Sequence, residues 1–432
     1  MCKTKMAVNA SDPTSSPRNS RTPRPRSSSS RPTFPTASSS SSDPSTSYTS
    51  SAAYSGSTGY RLSSDTSISS RTSLTTLRDT LPENPHIYHF SEICSATNNF
   101  LAKRYSSSSS TPSWRCSLSG RDVIVFQRKF RRKLETAQLR ERLSVICRSH
   151  HVSIIKLLGV SISGDYIYLV YEFVNGANLS DCLRNKKNPQ FTVLSNWISR
   201  MQVATDLAHG LDYIHNKTGF TINFVHNHIK SSGIIVTEPS FNAKICHFGA
   251  AQLCGEIDEE NERAKEVRIG EIVEEPSSPL RSTGFEGVRG YMSPEYQSTG
   301  VATQKSDVYA FGVVMLELLS GEEPLKFKFN SKTGEFVTNS VIDTAAAVIG
   351  SGSDGVEGRL RKWLDRKLKD SFPVDVAEEV TRVALECVHV DPDKRPNMGR
   401  VAGKISRLYL KSKIWCDNMR MPTDISVSLA PR

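Results

Sequence analysis

The chain is 432 residues long, 37% of them hydrophobic, with a formal net charge of +11. That is enough apolar material for one large or two modest cores, so a wholly disordered chain is excluded. A membrane-spanning helix is not expected, because the strongest apolar run, residues 308–319, contains Glu317 and falls short of about eighteen residues.

Residues 1–85 come first and are rich in Ser, Thr and Pro, with Arg18, Arg21, Arg24, Arg26 and Arg31 among them. Such a segment buries too little apolar area to offset chain entropy, and a disordered tail is predicted. Ser16 and Thr22 each precede a Pro near Arg residues and read as phosphate acceptors. Each added phosphate would cancel about 1.5 to 2 positive charges, so the tail reads either as a charge switch at an anionic membrane surface or as a solubilising segment. The N-terminus lacks the apolar block of a signal peptide, and Cys2 stands where N-myristoylation needs Gly, which leaves palmitoylation of Cys2 as the remaining lipid anchor. The nine cysteines show no C-x-x-C pair or metal-finger spacing, so reduced thiols and a cytoplasmic location are expected.

From Ile87 onward the composition turns globular. Residues 123–126 and 166–173 are β-branched and aromatic runs suited to strands, with a Ser-Gly-Asp turn at 163–165. Residues 202–214 and 377–388 place apolar side chains three and four apart, which predicts helices. The order predicts an α+β architecture of two lobes, a small β-rich one at about 101–175 and a larger helical one at about 176–410. The folded domain is set at 86–410, with a C-terminal tail at 411–432.

Three segments carry the chemistry. They are Val123-Ile124-Val125-Phe126, His226-Asn227-His228-Ile229-Lys230-Ser231-Ser232-Gly233 and His247-Phe248-Gly249. They resemble the protein kinase motifs V-A-I-K, H-R-D-x-K-x-x-N and D-F-G with the charged positions replaced. Around them stand residues 149–159, Leu169-Val170-Tyr171-Glu172-Phe173, Gly290-Tyr291-Met292-Ser293-Pro294-Glu295-Tyr296, residues 306–312 and residues 391–396. Residues 89–100 resemble the lead-in helix of plant receptor-like kinases. In order and spacing, residues 88–410 are similar to that superfamily, most of all to LysM-type receptor kinases and receptor-like cytoplasmic kinases.

The resemblance implies a two-lobed kinase-like fold whose chemistry is impaired. Phosphoryl transfer is positioning plus charge stabilisation, and it needs a glycine cradle, a cation on the phosphates, metals and a base. Between Arg104 and Leu118 a Ser run, Thr111-Pro112 and Trp114 stand where the cradle would be. Phe126 takes the Lys position, and its ion-pair Glu falls on Arg142, with Glu141 next to it and Lys129 as a displaced candidate cation. Ile124 adds bulk to the adenine floor, and Tyr171 sits at the gatekeeper place, completing with Cys246 a vestigial nucleotide cleft. His247 and Gly233 take the metal-ligand positions and His228 the base position, where imidazole is a poor magnesium ligand. Val288 replaces the Thr that supports the base, and Lys230 is retained. No cofactor is expected, ATP and magnesium entering only if a weak activity persists.

What the resemblance assigns to folding is present. Ile146, Leu157, His226 and Phe248 form an apolar spine joining the lobes. Glu295 and Arg395 form a buried ion pair, and Asp307 holds the catalytic-loop backbone. Two sharper readings have bland rivals. His228, His247 and Cys246 could bind a soft metal, although two or three unarranged ligands are usually packed or solvated. Gly350-Ser351-Gly352-Ser353-Asp354-Gly355 spells a dinucleotide fingerprint without a surrounding βαβ unit, so a surface loop is expected. The acidic segment that opens with Glu256 and Asp258 reads as solvated, and Ser277, Ser278, Ser282 and Thr283 beyond it are phosphate acceptors for a partner kinase.

The resulting expectation is a pseudokinase of the receptor-like cytoplasmic type, a scaffold or allosteric partner of active receptor kinases or other signalling proteins at the inner plasma-membrane face. No nucleic-acid partner is expected. The rival readings are a weak or atypical ATP-dependent Ser/Thr kinase, and a decoy or substrate modified by pathogens.

Overall fold

The computed structural model describes residues 85–105, 111–185, 194–219, 224–257, 288–330, 335–350 and 355–419. The expectations for the tail 1–84, Cys2, Ser16, Thr22, the acidic residues from Asp258 onward, Ser277, Ser278, Ser282 and Thr283 lie outside the described residues.

In chain order the small lobe comprises β1 (His86–Ile87), α1 (Phe90–Ala96), β2 (Ser113–Leu118), β3 (Arg121–Lys129), α2 (Thr136–Arg148), β4 (Leu157–Ser163) and β5 (Tyr166–Glu172). The five strands form one sheet in the order β1-β4-β5-β3-β2, with β1 parallel to β4 and the other pairs antiparallel. Side chains alternate along β3. Val123 and Val125 join a core cluster with Ile93, Tyr168 and Val170, which puts Ile124, Phe126 and Arg128 on the opposite face. Pairing with β5 continues as far as Lys129 opposite Tyr166 and makes β3 longer than the apolar run 123–126 suggests.

The lead-in segment belongs to this lobe. β1 pairs with Gly159 and Val160, and Phe90 and Phe100 each lie 5.3 Å, centroid to centroid, from the Tyr168 ring. The lobe therefore starts at 86, not at 101. A Cβ at position 159 would run into the His86 carbonyl, so glycine there lets β1 dock.

The large lobe holds β6 (Ala177–Asn178), α3 (Leu179–Arg184), α4 (Trp197–Asn216), β7 (Ile234–Val236), β8 (Ala243–Ile245) and α5 (Ala250–Leu253). It continues with α6 (Pro294–Thr299), α7 (Gln304–Ser320), β9 (Leu325–Asn330), β10 (Glu335–Ser340), α8 (Val341–Gly350), α9 (Val356–Trp363), α10 (Val374–Cys387) and α11 (Met398–Met419). α7 is buried almost throughout, opened by a Thr303–Ser306 capping box and closed by Gly321 in the left-handed region. α4 packs along α11, where Trp197 Nε1 donates to Ser412 Oγ at 2.9 Å. A domain end at 410 thus falls inside α11. The residues before Gly350 are the helix α8 and not a strand, so the glycine-rich segment lacks the strand that a dinucleotide site requires. No helix among the described residues is long and apolar enough to cross a membrane.

Candidate functional site

The segment 226–233 is held from below by α7. Asp307 accepts from the His226 N–H at 2.6 Å, the Asn227 N–H at 2.8 Å and His215 Nε2 at 3.0 Å. His226 is 1% exposed. Its Nε2 donates to the Cys246 carbonyl at 2.9 Å, and its Nδ1 accepts from the His228 N–H at 3.2 Å, which fixes a neutral tautomer. Burial pushes its pKa down to about 4. Asn227 and His247 both adopt positive φ, 59° and 64°, a conformation that costs energy for non-glycine residues and clusters at functional sites.

Ile146, Leu157 and Phe248 are each 1% exposed and share the main core. The Tyr171 hydroxyl donates to the Phe248 carbonyl at 2.9 Å, joining the small-lobe sheet to the segment 247–249. Gly249 has φ +80°, and a Cβ there would stand 2.7 Å from Ile146 side-chain atoms. Ile124 is buried and pairs with Tyr171 across the sheet. The Cys246 thiol is pushed up to about 12 by burial.

The cleft between these walls is occupied by protein side chains. The Phe126 ring meets His247 edge-on at 4.7 Å and Tyr171 at 5.8 Å, and His228 lies 6.3 Å from His247. Beside them Arg128 enters from β3, with Nη1 3.2 Å from His228 Nε2 and 3.4 Å from Glu256 Oε1. Glu256 also accepts from His228 Nε2 at 3.0 Å and Asn227 Nδ2 at 3.2 Å. Only 6% of the Glu256 side chain is exposed. The expectation of a solvated acidic segment therefore fails at its first residue, because three donors from two elements surround this carboxylate.

Burial works against ionising Glu256, but the charges and hydrogen bonds of His228, Arg128 and Asn227 outweigh it and bring its pKa down to about 2. His228 is lowered by burial and then by Arg128. His247 falls well below the usual histidine range for the same two reasons. Among the described residues, His247 Nδ1 and Arg128 Nε are both buried without a hydrogen-bond partner.

The other named positions are dispersed. Arg142 donates Nη1 to the Gln252 carbonyl at 2.9 Å, while Glu141 and Lys129 are exposed. Gly233 leaves room at ordinary contact distance from the His228 carbonyl and His247. Among the described residues no group of three or more His, Cys, Asp or Glu could hold a metal ion. Arg395 and Glu295 form a two-pronged pair at 2.7 and 2.8 Å, with the Arg395 side chain fully buried. Glu317, noted in the sequence only as a break in an apolar run, is fully buried and bonded to Arg184 Nη2, Ser231 Oγ and Tyr291 Oη at 2.6, 2.9 and 2.7 Å. Arg128 and Glu256 were not singled out as cleft residues. Position 128 is two residues beyond Phe126 and therefore shares its face, a signal legible in the alternation of β3, whereas nothing local marks Glu256.

The sequence pattern of the family described as protein tyrosine and serine/threonine kinase matches residues 119–405. The chain belongs to that family. Its kinase domain is similar to plant receptor-like kinases. LysM domain receptor-like kinase 3 of Arabidopsis thaliana is 31% identical over 77% of this chain and 48% of its own length. PTI1-like tyrosine-protein kinase 1 of the same plant is 30% identical over 62% of this chain and 66% of its own. The chain spans about half the length of LysM domain receptor-like kinase 3 and of Protein LYK5. Among solved structures, the pseudokinase domain of BIR2, titled an immune regulator of the RLK/Pelle family, shares the fold, with a TM-score of 0.55 and 22% identity over 78% of this chain and 94% of that one.

Proposed function

We propose that this kinase domain is a pseudokinase, a scaffold or allosteric partner for active receptor kinases in membrane-proximal signalling. The observation that carries the reading is the contact of Phe126 with His247 beside the Arg128–Glu256–His228 cluster. Where a nucleotide's phosphates and magnesium would be gripped, positions 126, 233 and 247 supply a phenyl ring, a glycine and an imidazole that burial keeps neutral. Magnesium takes oxygen ligands in near-octahedral geometry, so this donor set does not fit it. The anchoring by Asp307 and the Glu295–Arg395 pair support a rigid, signalling-competent surface without requiring turnover. The basic segment before residue 85 and the relatives' kinase character support partners at a membrane surface.

A thermal-shift titration of the full chain with ATP, alone and with magnesium or manganese, tests this reading. No shift at millimolar nucleotide is expected, because a ligand stabilises only in proportion to its occupancy of the folded state. A metal-dependent rise in melting temperature would overturn it. The second reading, a weak Ser/Thr kinase, draws on the retained Lys230 and the intact backbone around His228. Phosphate incorporation lost in both His228→Ala and Lys230→Met would favour it.

A further inference from the structure

The large lobe carries a groove of ≈ 580 Å³ bounded by α9, α10 and α11, none of whose lining residues belongs to the cleft. Its apolar lining includes Phe372, Val374, Trp415 and Met419. Met419, the last residue of α11, is 69% exposed, and Trp415 one turn before it is half-buried. Most charges around the groove are paired, Arg361 with Glu357 and Asp370 at 2.9 and 2.6 Å, and Glu378 with Arg382 at 2.6 Å. Asp375, exposed in the first turn of α10, has no ion-pair partner among the described residues. Apolar surface left in water is unfavourable in proportion to its area, so covering this lining is favourable.

The sequence supplies an occupant. Residues 420–432 follow Met419 directly and lie outside the described residues. Within them Ile425, Val427 and Leu429 alternate with Ser426 and Ser428, the period of an extended segment with one apolar and one polar face. So short a segment makes no core of its own and buries its apolar face only against another surface. From Met419 to Ile425 an extended chain spans at most about 20 Å, so the groove at the end of α11 is within reach. Arg420, next after Met419, brings a cation to the groove where Asp375 lacks one. Tethering also favours this occupant over an outside peptide, because a short linker gives an effective concentration in the millimolar range.

We propose that the groove is a docking site for the chain's own segment 425–429, laid with its apolar face against Val374, Trp415 and Met419. Docked in this way, the segment ties the end of α11 to the start of α10 and leaves Ser426 and Ser428 facing solvent. The inference makes no use of the cleft and stands or falls apart from the pseudokinase reading.

The test is hydrogen exchange on the full chain. Amides of residues 425–429 are expected to exchange at least about tenfold more slowly than unstructured chain. That protection is expected to vanish in a tail variant, Ile425→Asp with Leu429→Asp, and in a groove variant, Val374→Asp with Met419→Asp. The tail variant is also expected to raise acrylamide quenching of tryptophan fluorescence. Trp114 and Trp197, 3% and 1% exposed, respond little to acrylamide, whereas Trp415 would lose its cover. Should the groove variant fail to fold, the tail variant and its quenching carry the test. Exchange at the unstructured rate would overturn the proposal, as would unchanged quenching or protection that survives in the folded groove variant. Protection that rises with protein concentration would overturn docking within one chain and assign the groove to the tail of a second copy.

Discussion

At the residue scale the cleft is governed by titratable groups held away from their solution behaviour. His226, with its pKa near 4, and His247, lower still than a free imidazole, stay neutral in the folded chain, whereas in the unfolded chain they take up protons near pH 6.5. The unfolded state thus binds more protons between about pH 6.5 and 4, and stability falls as pH drops through that window. For His226 alone the loss amounts to about 3 kcal/mol, and melting temperature followed from pH 7.5 to 4 should decline over this interval. Glu256 has the opposite origin and acts at lower pH. Its pKa near 2 makes it stabilising above about 4.5, a contribution lost as pH falls toward 2. Replacing it leaves the Arg128 charge buried without its counter-charge. Glu256→Gln should cost about 3 kcal/mol in denaturant unfolding, and Arg128→Met with Glu256→Met should recover most of that loss, because removing both charges is far cheaper than removing one. His226 and His247 stand in the motif segments, but the Glu256 contribution was not legible there, because Glu256 lies outside every motif and reaches the cleft only through the turn after α5.

At the element scale, what the sequence made visible were the runs with strong periodicity. The helix expected at 202–214 is α4, longer at both ends because Asn196 caps its start through the Ile198 N–H and the helix runs on to Asn216. The hairpin β9–β10 carried no such signal, since Phe327 and Phe329 are exposed and their alternation faces no core. Nor did β1, whose two residues gain their role only from pairing with β4. That pairing yields a sharp prediction. Gly159→Ala should displace β1 and expose the Tyr88 amide, which bonds the Val160 carbonyl at 2.9 Å. Hydrogen exchange at Tyr88 should then accelerate at least tenfold while α7 stays protected.

At the scale of the whole molecule, the kinase fold was readable because its supports are coded in contiguous motifs: Asp307 under the loop 226–233, Phe248 in the core, and Arg395 against Glu295. Arg395 also donates to the His389, Val390 and Lys305 carbonyls, so Arg395→Met should destabilise the large lobe by about 3 kcal/mol or more, measured by equilibrium unfolding. The filling of the cleft was less readable, because it depends on side chains from β3, the loop 226–233 and the turn after α5 meeting in three dimensions. Their meeting also bears on evolutionary reversibility. A lysine placed at position 126 would share a strand face with Arg128 and look onto a histidine, while Glu256, among the described residues of the cleft, is already shared by three donors. On the pseudokinase reading proposed above, each single change toward phosphoryl-transfer chemistry would be penalised before the others arrived, so the cleft would act as a ratchet.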